Sequence, residues 1–274
     1  MKISSIKSHV LRYELDKELG YSQQYYKHRT AHLVEIETDE GITGWGECFG
    51  PGNIALANKY IVEKVIQPLI IGEDPINKEY IWHKVYNLLR DSGQKGMPIQ
   101  ALSGIDIALW DILAKKAKLP LYQLLGGKTN SKIPVYGYGM MLQKKSLEEL
   151  CELIKKEANQ IKEKNFKAMK MKVGLGPKED LKLVSAVRDT IGSEFKLMVD
   201  ANNAYKHYQA MEVARKIEKY DVFWFEEPVE PDDYEGSAII ARSTSTPIAS
   251  GENESTSKPA SRPALTYSIP SAKV

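Results

Sequence analysis

The sequence predicts an α/β protein in which an antiparallel sheet with helices is followed by a series of parallel βα units. Near the N-terminus, β-forming residues stand on either side of a polar turn at residues 39–41, which predicts a hairpin. After residue 130, short β-rich runs alternate with charged amphipathic stretches, the pattern of βα units and a parallel sheet. Three of these runs end next to a carboxylate, and the carboxylates recur every 26 residues.

The composition is typical of a folded globular protein. Hydrophobic residues make up 42% of the 274 residues and charged residues 27%, which excludes a disordered, collagenous or fibrous chain. The 38 Lys and Arg residues nearly balance the 36 Asp and Glu residues, so we expect no nucleic-acid or membrane partner. The polar start is unlike a signal peptide, and no stretch approaches the about 18 apolar residues of a membrane span. Two isolated cysteines, Cys48 and Cys151, favour a reducing compartment, so we predict a cytoplasmic location.

The first 130 residues divide into an extended part and a helical part. Residues 1 to about 47 favour an antiparallel sheet, and residues 54 to 118 favour helices. Between Ala101 and Leu113 the apolar residues recur at intervals of three and four, which predicts a mostly buried helix. Leu119-Pro120 ends this helix, and residues 125–130 are typical of a linker.

Five strands and four helices are predicted after residue 130. The strands are Ile133–Tyr138, Ala168–Val173, Leu197–Asp200, Val222–Glu226 and Ile248–Gly251. The helices lie near residues 146–164, 178–191, 207–219 and 232–242. This alternation predicts that all five strands run parallel.

Asp200, Glu226 and Glu252 each stand at or just beyond the end of a predicted strand. Because one βα repeat separates them, we expect them side by side on neighbouring strands about 4.8 Å apart, at the edge where βα barrels place active sites. Like charges resist joint ionisation in a small dry space, and a divalent cation resolves the conflict. All-oxygen ligation with open positions favours Mg²⁺, with Mn²⁺ as a plausible substitute. The alternative makes each acid a helix N-cap or a surface residue.

Lys170 and Lys172 stand two apart on one predicted strand, so both should face the barrel interior. An inward lysine pair requires neighbouring anions, which the carboxylate cluster provides. Mutual repulsion should lower the pKa of at least one of the two and make a neutral amine available as a base. The alternative is a pair of solvated lysines, as expected for Lys162, Lys164 and Lys167 nearby.

These motifs carry a resemblance to a known family. The Lys-x-Lys strand, Asp200-Ala201-Asn202, Glu226-Glu227-Pro228 and Gly251-Glu252-Asn253 resemble the enolase superfamily, specifically its mandelate racemase and muconate lactonizing family. The runs 44–47 and 103–111 resemble the capping domain of that family. The similarity extends from residue 1 to about residue 254.

The resemblance implies an α+β capping domain at 1–130 and a modified (β/α) TIM-type barrel at 131–254. It implies that Asp200, Glu226 and Glu252 bind Mg²⁺, and that the enzyme removes the proton α to a substrate carboxylate. By the same analogy, Lys172 is the base, Lys170 helps to neutralise the enolate, and Asn202 supports the site. Glutamate as the third ligand favours the mandelate racemase-like branch. A homo-oligomer is also expected from the family.

The substrate is expected to be an acid sugar or its lactone. The candidate loop at residues 20–29 is rich in hydrogen-bonding groups that suit polyhydroxylated acids, although an exposed loop without a ligand role has the same composition. Tyr25, His28, Arg29 and Tyr138 are the candidate substrate-binding residues. The runs 89–96 and 101–112 are similar to acid-sugar dehydratases and galactarolactone cycloisomerase-like members. Racemisation or epimerisation of another carboxylate is the alternative.

Residues 255–274 depart from the family pattern. Three prolines, seven Ser or Thr residues and no helical periodicity make them a poor match for further βα repeats. The sequence therefore predicts a barrel that stops after about five strands, as a truncated or frameshifted reading would. It lacks a counterpart of the His-Asp dyad that racemase-like members carry on later strands. Two hypotheses follow: a Mg²⁺-dependent dehydratase or cycloisomerase whose remaining part is missing here, or a non-catalytic remnant whose open sheet edges invite a partner.

The remaining candidates have ordinary structural interpretations. His207 is expected to be a surface residue at the start of a helix. Cys48 and Cys151 are expected to be small packing residues, and Trp224 is expected in a core or between domains.

Overall fold

The structure, a computed structural model, describes residues 1–256. It divides into two compact units. The first unit contains residues Met1–Asp16 and His28–Lys132, and the second contains Lys17–Lys27 and the described chain from Ile133 onwards. Of the tail predicted at 255–274, residues 257–274 lie outside the described residues.

The first unit is built on a three-stranded sheet in the order β1-β2-β3. The strands are β1 (Ile3–Tyr21), β2 (Gln24–Thr38) and β3 (Thr43–Cys48), and the far ends of β1 and β2 belong to the second unit. The turn between β2 and β3 is closed by the hydrogen bond from the Thr38 amide to the Ile42 carbonyl, at 3.0 Å. The predicted hairpin at residues 39–41 is confirmed.

Helices complete the first unit. They are α1 (Ile54–Tyr60), continued by a π-helical segment (Ile61–Ile66) and α2 (Gln67–Ile70), then α3 (Lys78–Leu89), α4 (Met97–Ala117) and α5 (Leu121–Leu124). Lys118 ends α4 in the left-handed conformation, directly before Leu119-Pro120. The predicted end of this helix is therefore confirmed.

Helix α4 lies very close to strand β3 because glycines line the contact. A Cβ atom on Gly46 would overlap the carbonyl oxygen of Gly104 and lie 2.8 Å from the Ala108 nitrogen. A Cβ atom on Gly104 would in turn overlap the sulfur of Cys48. The glycines allow the two backbones to approach, and the apolar face of α4 forms part of the core of the first unit.

By length and composition alone, α4 could cross a membrane. The expectation that no segment approaches such a span is therefore wrong for this helix. The core helix of a soluble protein meets the same criterion. Leu102, Ile105, Leu109 and Ile112 of α4 are at most 1% exposed, so the described residues use this helix as core.

The second unit contains a five-stranded parallel sheet in the order β4-β5-β6-β7-β8. The strands are β4 (Gly137–Tyr138), β5 (Ala168–Lys172), β6 (Lys196–Asp200), β7 (Val222–Glu226) and β8 (Ile248–Ala249). The helices are α6 (Leu147–Glu163), α7 (Pro177–Ile191), α8 (His207–Ile217), which continues into a 3₁₀ turn (Glu218–Tyr220), and α9 (Tyr234–Ser243). The predicted alternation of strands and helices is confirmed.

The outer strands are shorter than the sequence predicts. The strand expected at 133–138 is limited to Gly137 and Tyr138, and Ile133 and Val135 are 79% and 68% exposed. The strand expected at 248–251 ends at Ala249. Residues at the margin of a sheet have one neighbouring strand to pair with, so β-propensity alone overestimates their length.

The loop expected at residues 20–29 is the end of a β-hairpin. Strand β1 continues to Tyr21, Ser22 and Gln23 form the turn, and β2 starts at Gln24. The hairpin end also pairs within the second unit, where Gly20 and Leu142 exchange two backbone hydrogen bonds of 2.8 and 3.0 Å. Because strand pairing satisfies these backbone groups, the expectation of a loop over residues 20–29 is wrong: apart from the turn at Ser22 and Gln23 the segment is β-strand.

Candidate active site

The parallel register brings the predicted site residues together at the carboxyl edge of the sheet. Lys172 of β5 lies opposite Asp200 of β6, and Asp200 lies opposite Glu226 of β7. Lys170 lies opposite Met198, two residues earlier on β6. Since side chains alternate between the faces of a strand, Lys170 and Lys172 share one face, as predicted.

Both lysines donate hydrogen bonds to these carboxylates. Lys170 Nζ lies 2.5 Å from Glu226 Oε1 and 3.1 Å from Asp200 Oδ2. Lys172 Nζ lies 2.6 Å from Asp200 Oδ2 and also donates to Asn202 Oδ1. Asp200 is fully buried and the two lysines are 7% and 6% exposed. The interpretation of Lys170 and Lys172 as solvated surface residues is thus excluded. Each buried charge has an oppositely charged partner, which offsets the cost of removing it from water.

The expected lowering of a lysine pKa is wrong for this arrangement. Burial alone would lower the pKa of Lys170, but its hydrogen bond to Glu226 and the negative charge of Asp200 raise it overall. Burial likewise opposes the charged form of Lys172, and Asp200 again outweighs it, so that this pKa is also raised. Each lysine Nζ atom lies within hydrogen-bonding distance of a carboxylate oxygen. The attraction to these carboxylates outweighs the repulsion between the two lysines.

Glu252 follows β8 and belongs to the same edge. Desolvation of its carboxyl group, followed by the negative charges of Asp200 and Glu226, raises the pKa of Glu252, although the residue as a whole is exposed. The three carboxylates therefore lie close enough to influence one another. That the three carboxylates bind one ion together stays a prediction.

Comparison with protein families assigns both parts of the chain. Residues 20–126 match the mandelate racemase / muconate lactonizing enzyme N-terminal domain, and residues 153–264 match the enolase C-terminal domain-like family.

The chain belongs to the mandelate racemase/muconate lactonizing enzyme family of the enolase superfamily.

Similar proteins of this family include enzymes and solved structures. The D-galactarolactone cycloisomerase of Agrobacterium fabrum is 37% identical over 92% of this chain and 65% of its own length. The arabinonate dehydratase of Saccharolobus solfataricus is 40% identical over 80% of this chain and 58% of its own length. A crystal structure of a racemase from Streptomyces coelicolor with bound magnesium is 34% identical, with a TM-score of 0.85 over 92% of this chain and 69% of that chain. This chain thus spans about two-thirds or less of the two curated relatives.

Family membership identifies the architecture. The antiparallel sheet with its helices corresponds to the α+β capping domain, and the five parallel strands belong to the family's (β/α) barrel. Lys172, Asp200 and Glu226 lie at the carboxyl ends of their strands. In βα barrels the active site is built at this end of the strands.

The chemistry of the three carboxylates fits a magnesium ion. An all-oxygen, anionic donor set on adjacent strand ends is the kind that hard divalent cations prefer. Within residues 1–256, no three Asp, Glu, His or Cys side chains are already arranged as a preformed metal site. In this structure the ammonium groups of Lys170 and Lys172 neutralise the carboxylates of Asp200 and Glu226.

Glu227 also lies at this edge, although its motif Glu226-Glu227-Pro228 gave it no predicted role of its own. It is 2% exposed and accepts hydrogen bonds from the side-chain amides of Asn253 at 2.7 Å, Asn202 at 3.4 Å and Asn203 at 3.5 Å. Burial, followed by the negative charge of Glu252, raises the pKa of Glu227 to about 7. It joins the loops that follow three neighbouring strands. Its place beside Glu226 and the asparagines next to both acidic motifs were the available signals.

Trp224 also contacts the site, a role that was not predicted for it; its expected core or interdomain position stays a prediction. Its indole nitrogen donates to Glu226 Oε2 at 2.8 Å, on the carboxylate whose other oxygen accepts from Lys170. Trp224 and Glu226 stand two apart on β7 and therefore share a face. That spacing was the signal that could have placed the tryptophan here.

Of the four candidate substrate residues, Tyr138 lies at this edge. The centre of its ring is 5.6 Å from both Lys170 Nζ and Lys172 Nζ. Tyr25 packs against the core of the second unit, with its ring over Gly20. His28 and Arg29 belong to the first unit, and their role in substrate binding stays a prediction.

The ordinary interpretations of the other residues agree with the structure. His207 is the exposed first residue of α8, as expected. Cys48 is buried and Cys151 is half-buried, and both are free thiols.

Proposed function

We propose that this chain provides the magnesium-binding and proton-abstracting part of an enolase-superfamily active site. Its substrate is the carboxylate of an acid sugar or the corresponding lactone, and the reaction is a dehydration or a cycloisomerisation. The observation that carries the proposal is the buried contact of Lys170 and Lys172 with Asp200 and Glu226 at one sheet edge. The similarity to a galactarolactone cycloisomerase and an arabinonate dehydratase supports the substrate class.

In this proposal, Asp200, Glu226 and Glu252 hold Mg²⁺, and Mn²⁺ is an alternative ion. The bound ion would supply positive charge for the carboxylates and for the negative charge that develops on the substrate carboxylate oxygens. The racemase structure with bound magnesium supports the choice of ion.

The side chains of this chain perform the proton transfer. Lys172 would release its ammonium proton to solvent when a bound cation replaces it as the partner of Asp200. Its neutral Nζ atom then takes the proton from the carbon next to the carboxylate, and Lys170 adds positive charge beside the resulting enolate. Asn202 holds Lys172 through its side-chain oxygen and Asp200 through its backbone nitrogen, which lies 3.0 Å from Asp200 Oδ1. Such a fixed arrangement lowers the barrier because the charges are in place before the proton moves.

Racemisation of a carboxylate is the second candidate function. The similarity to the magnesium-bound racemase over 92% of this chain favours it. Both candidates begin with the same proton abstraction, so the roles of the lysines are common to them.

The proposal includes the cellular setting and the division into a capping domain at 1–130 and a barrel part at 131–254. Small-molecule carboxylates, rather than nucleic acid or a membrane, are the partners, and the chain forms a homo-oligomer in the cytoplasm. The near balance of charge and the two free cysteines support this setting.

Deuterium exchange tests the function. The chain is incubated with Mg²⁺ and a panel of acid sugars and lactones in deuterated water, and loss of the α-proton signal is followed by NMR. We expect Mg²⁺-dependent exchange that falls by about 10²–10⁴-fold in Lys172→Ala, the usual contribution of a general base. Lys167→Ala, which removes an exposed lysine upstream of the same strand, should keep the full rate.

Two results contradict the proposal. Undiminished exchange in Lys172→Ala would refute the assignment of the base. Absence of exchange with every compound would favour the non-catalytic alternative, a protein that binds a partner along the edges of its sheet.

A further inference from the structure

The hairpin turn between β1 and β2 contacts the chain that leaves β6. Ser22 Oγ lies 2.7 Å from the carbonyl oxygen of Ala201 and 2.9 Å from that of Asn202, so its hydroxyl donates to this pair. The side-chain amide of Gln23 donates to the carbonyl of Asn203 at 3.2 Å. The turn thus follows the backbone of three consecutive residues. Ser22 is 179 positions from Ala201 and 180 positions from Asn202 in the sequence, and all three residues belong to the second unit.

The backbone held in this way has an unusual conformation. Asn202 and Asn203 have φ angles of 44° and 64°. These values lie in the left-handed region, which residues other than glycine, asparagine and aspartate rarely adopt. Such conformations persist where the surroundings determine them. The hydroxyl of Ser22, on the carbonyls immediately before and within this stretch, is one of those determinants.

The orientation of Asn202 decides where two side chains of the proposed site point. Its backbone nitrogen donates to Asp200 Oδ1 at 3.0 Å, and its side-chain oxygen accepts from Lys172. A rotation of the peptide groups around Asn202 would displace both contacts. Ser22 acts on the carbonyls of these same peptide groups.

Ser22 is itself closely packed. A Cβ atom on Gly174 would lie 2.6 Å from the Ser22 Cβ and 2.9 Å from that of Ala204, so the loop after β5 passes directly against the serine. Gly174 has a φ of 114°, which favours glycine at this close approach. The backbone pairing of Gly20 with Leu142 fixes the turn from its other side. The turn that carries the hydroxyl is therefore held by two other segments, the loop after β5 and the segment at Leu142.

We propose that Ser22 is a positioning residue for the metal-binding and proton-abstracting side chains, acting through the Ala201 and Asn202 carbonyls on Asp200 and Lys172. This inference rests on the proposed function for its consequence, whereas the ordering of residues 200–205 by Ser22 can be measured without any ligand.

Hydrogen–deuterium exchange of the metal-free chain tests the ordering. We expect Ser22→Ala to exchange about fivefold faster in peptides covering residues 200–205, and Ser22→Thr, which keeps the hydroxyl, to restore the rate. A fivefold change corresponds to about 1 kcal/mol, the net value of one hydrogen bond. Ser4→Ala is the matched control, because Ser4 of β1 also donates its hydroxyl to a backbone carbonyl, that of Glu37 at 3.0 Å, but within the first unit.

An unchanged rate at residues 200–205 in Ser22→Ala would overturn the inference. A uniform increase across the whole second unit would also overturn it, since Ser22 would then be a general stabilising residue rather than a positioning one.

Calorimetric titration with Mg²⁺ tests the consequence for the site. We expect Ser22→Ala to bind Mg²⁺ about fivefold more weakly than the unsubstituted chain. Ser22→Thr and Ser4→Ala should bind Mg²⁺ with nearly the affinity of the unsubstituted chain. Equal affinity in Ser22→Ala would overturn the link to the site. Absence of Mg²⁺ binding by the unsubstituted chain would contradict the proposed function instead, and the exchange result would still decide whether Ser22 orders residues 200–205.

Discussion

At the scale of single residues, Asn202 uses every polar group that it has. Its backbone nitrogen donates to Asp200, its carbonyl accepts from Ser22, and its amide side chain accepts from Lys172 and donates to Glu227. Few residue types could replace it, because an aspartate would lose the donor and a larger side chain would resist the positive φ. The left-handed backbone directs both the backbone nitrogen and the side-chain amide of Asn202 towards the site.

The two cysteines should differ in reactivity. Cys48 is 1% exposed and burial raises the pKa of its thiol to about 12, whereas Cys151 is half-buried. Because the thiolate is the reactive form, we expect iodoacetamide to modify Cys151 first and Cys48 only when the chain unfolds. Peptide mass spectrometry of the native protein, sampled over time, measures this order.

A denatured sample supplies the control for this labelling. In guanidinium chloride both thiols should react at similar rates, because each then has the ordinary exposure of an unfolded chain. Modification of Cys48 in the native protein at the rate of Cys151 would contradict the burial of Cys48 between β3 and α4.

At the scale of secondary-structure elements, the contact between β3 and α4 depends on the absence of side chains. We expect Gly46→Ala to lower the free energy of unfolding by about 3 kcal/mol, at the upper end for overpacking, because the added methyl group would overlap backbone atoms that cannot rotate away. Guanidinium denaturation followed by circular dichroism measures the loss. Gly139→Ala is the control, since its added Cβ meets other atoms only at 3.7 Å and beyond.

If Gly46→Ala were as stable as Gly139→Ala, the close approach of the two backbones would be refuted. A loss confined to Gly46→Ala would show that the glycines are required for packing rather than for turn formation, because neither Gly46 nor Gly104 has a positive φ.

Elements with a strong internal period were predictable from the sequence, and those set by their neighbours were not. The strands that end at Lys172, Asp200 and Glu226 were located almost to the residue, because each is a short apolar run between amphipathic helices. The length of β4 depended on pairing, and the hairpin end at residues 20–25 depended on a partner at Leu142. Local periodicity contains no information on such distant partners.

The candidate site divides in the same way. The positions of Lys170, Lys172 and Asp200 followed from strand alternation and repeat spacing. Their ionisation did not, because the pKa of each lysine depends on which oxygen lies within hydrogen-bonding distance of its Nζ atom. Glu227 escaped assignment because its importance comes from amides supplied by two other loops.

At the scale of the whole molecule, Mg²⁺ should stabilise the second unit. A ligand that binds only the folded state contributes about 2.7 kcal/mol at a concentration of 100 times its Kd. We therefore expect added Mg²⁺ to raise the thermal unfolding temperature, and Glu226→Gln to abolish most of this increase. Differential scanning fluorimetry with and without EDTA measures the effect.

Glu230→Gln provides the matched control for the metal experiment. Glu230 follows β7 closely in sequence, but its side chain is 62% exposed and pairs with Lys206. This variant should retain the full Mg²⁺ effect. A full effect in Glu226→Gln as well would indicate that the ion binds elsewhere.

The hairpin end that reaches the β-sheet of the second unit makes this unit discontinuous along the gene. An expression fragment that starts at Ile133 would contain the five strands and their helices, yet it would lack residues 17–27. Leu142 would then lose its backbone partner, and the carbonyls of Ala201 and Asn202 would lose the serine hydroxyl. Anyone who isolates this half by cloning should therefore append the hairpin segment, for example by circular permutation, rather than cut the chain once.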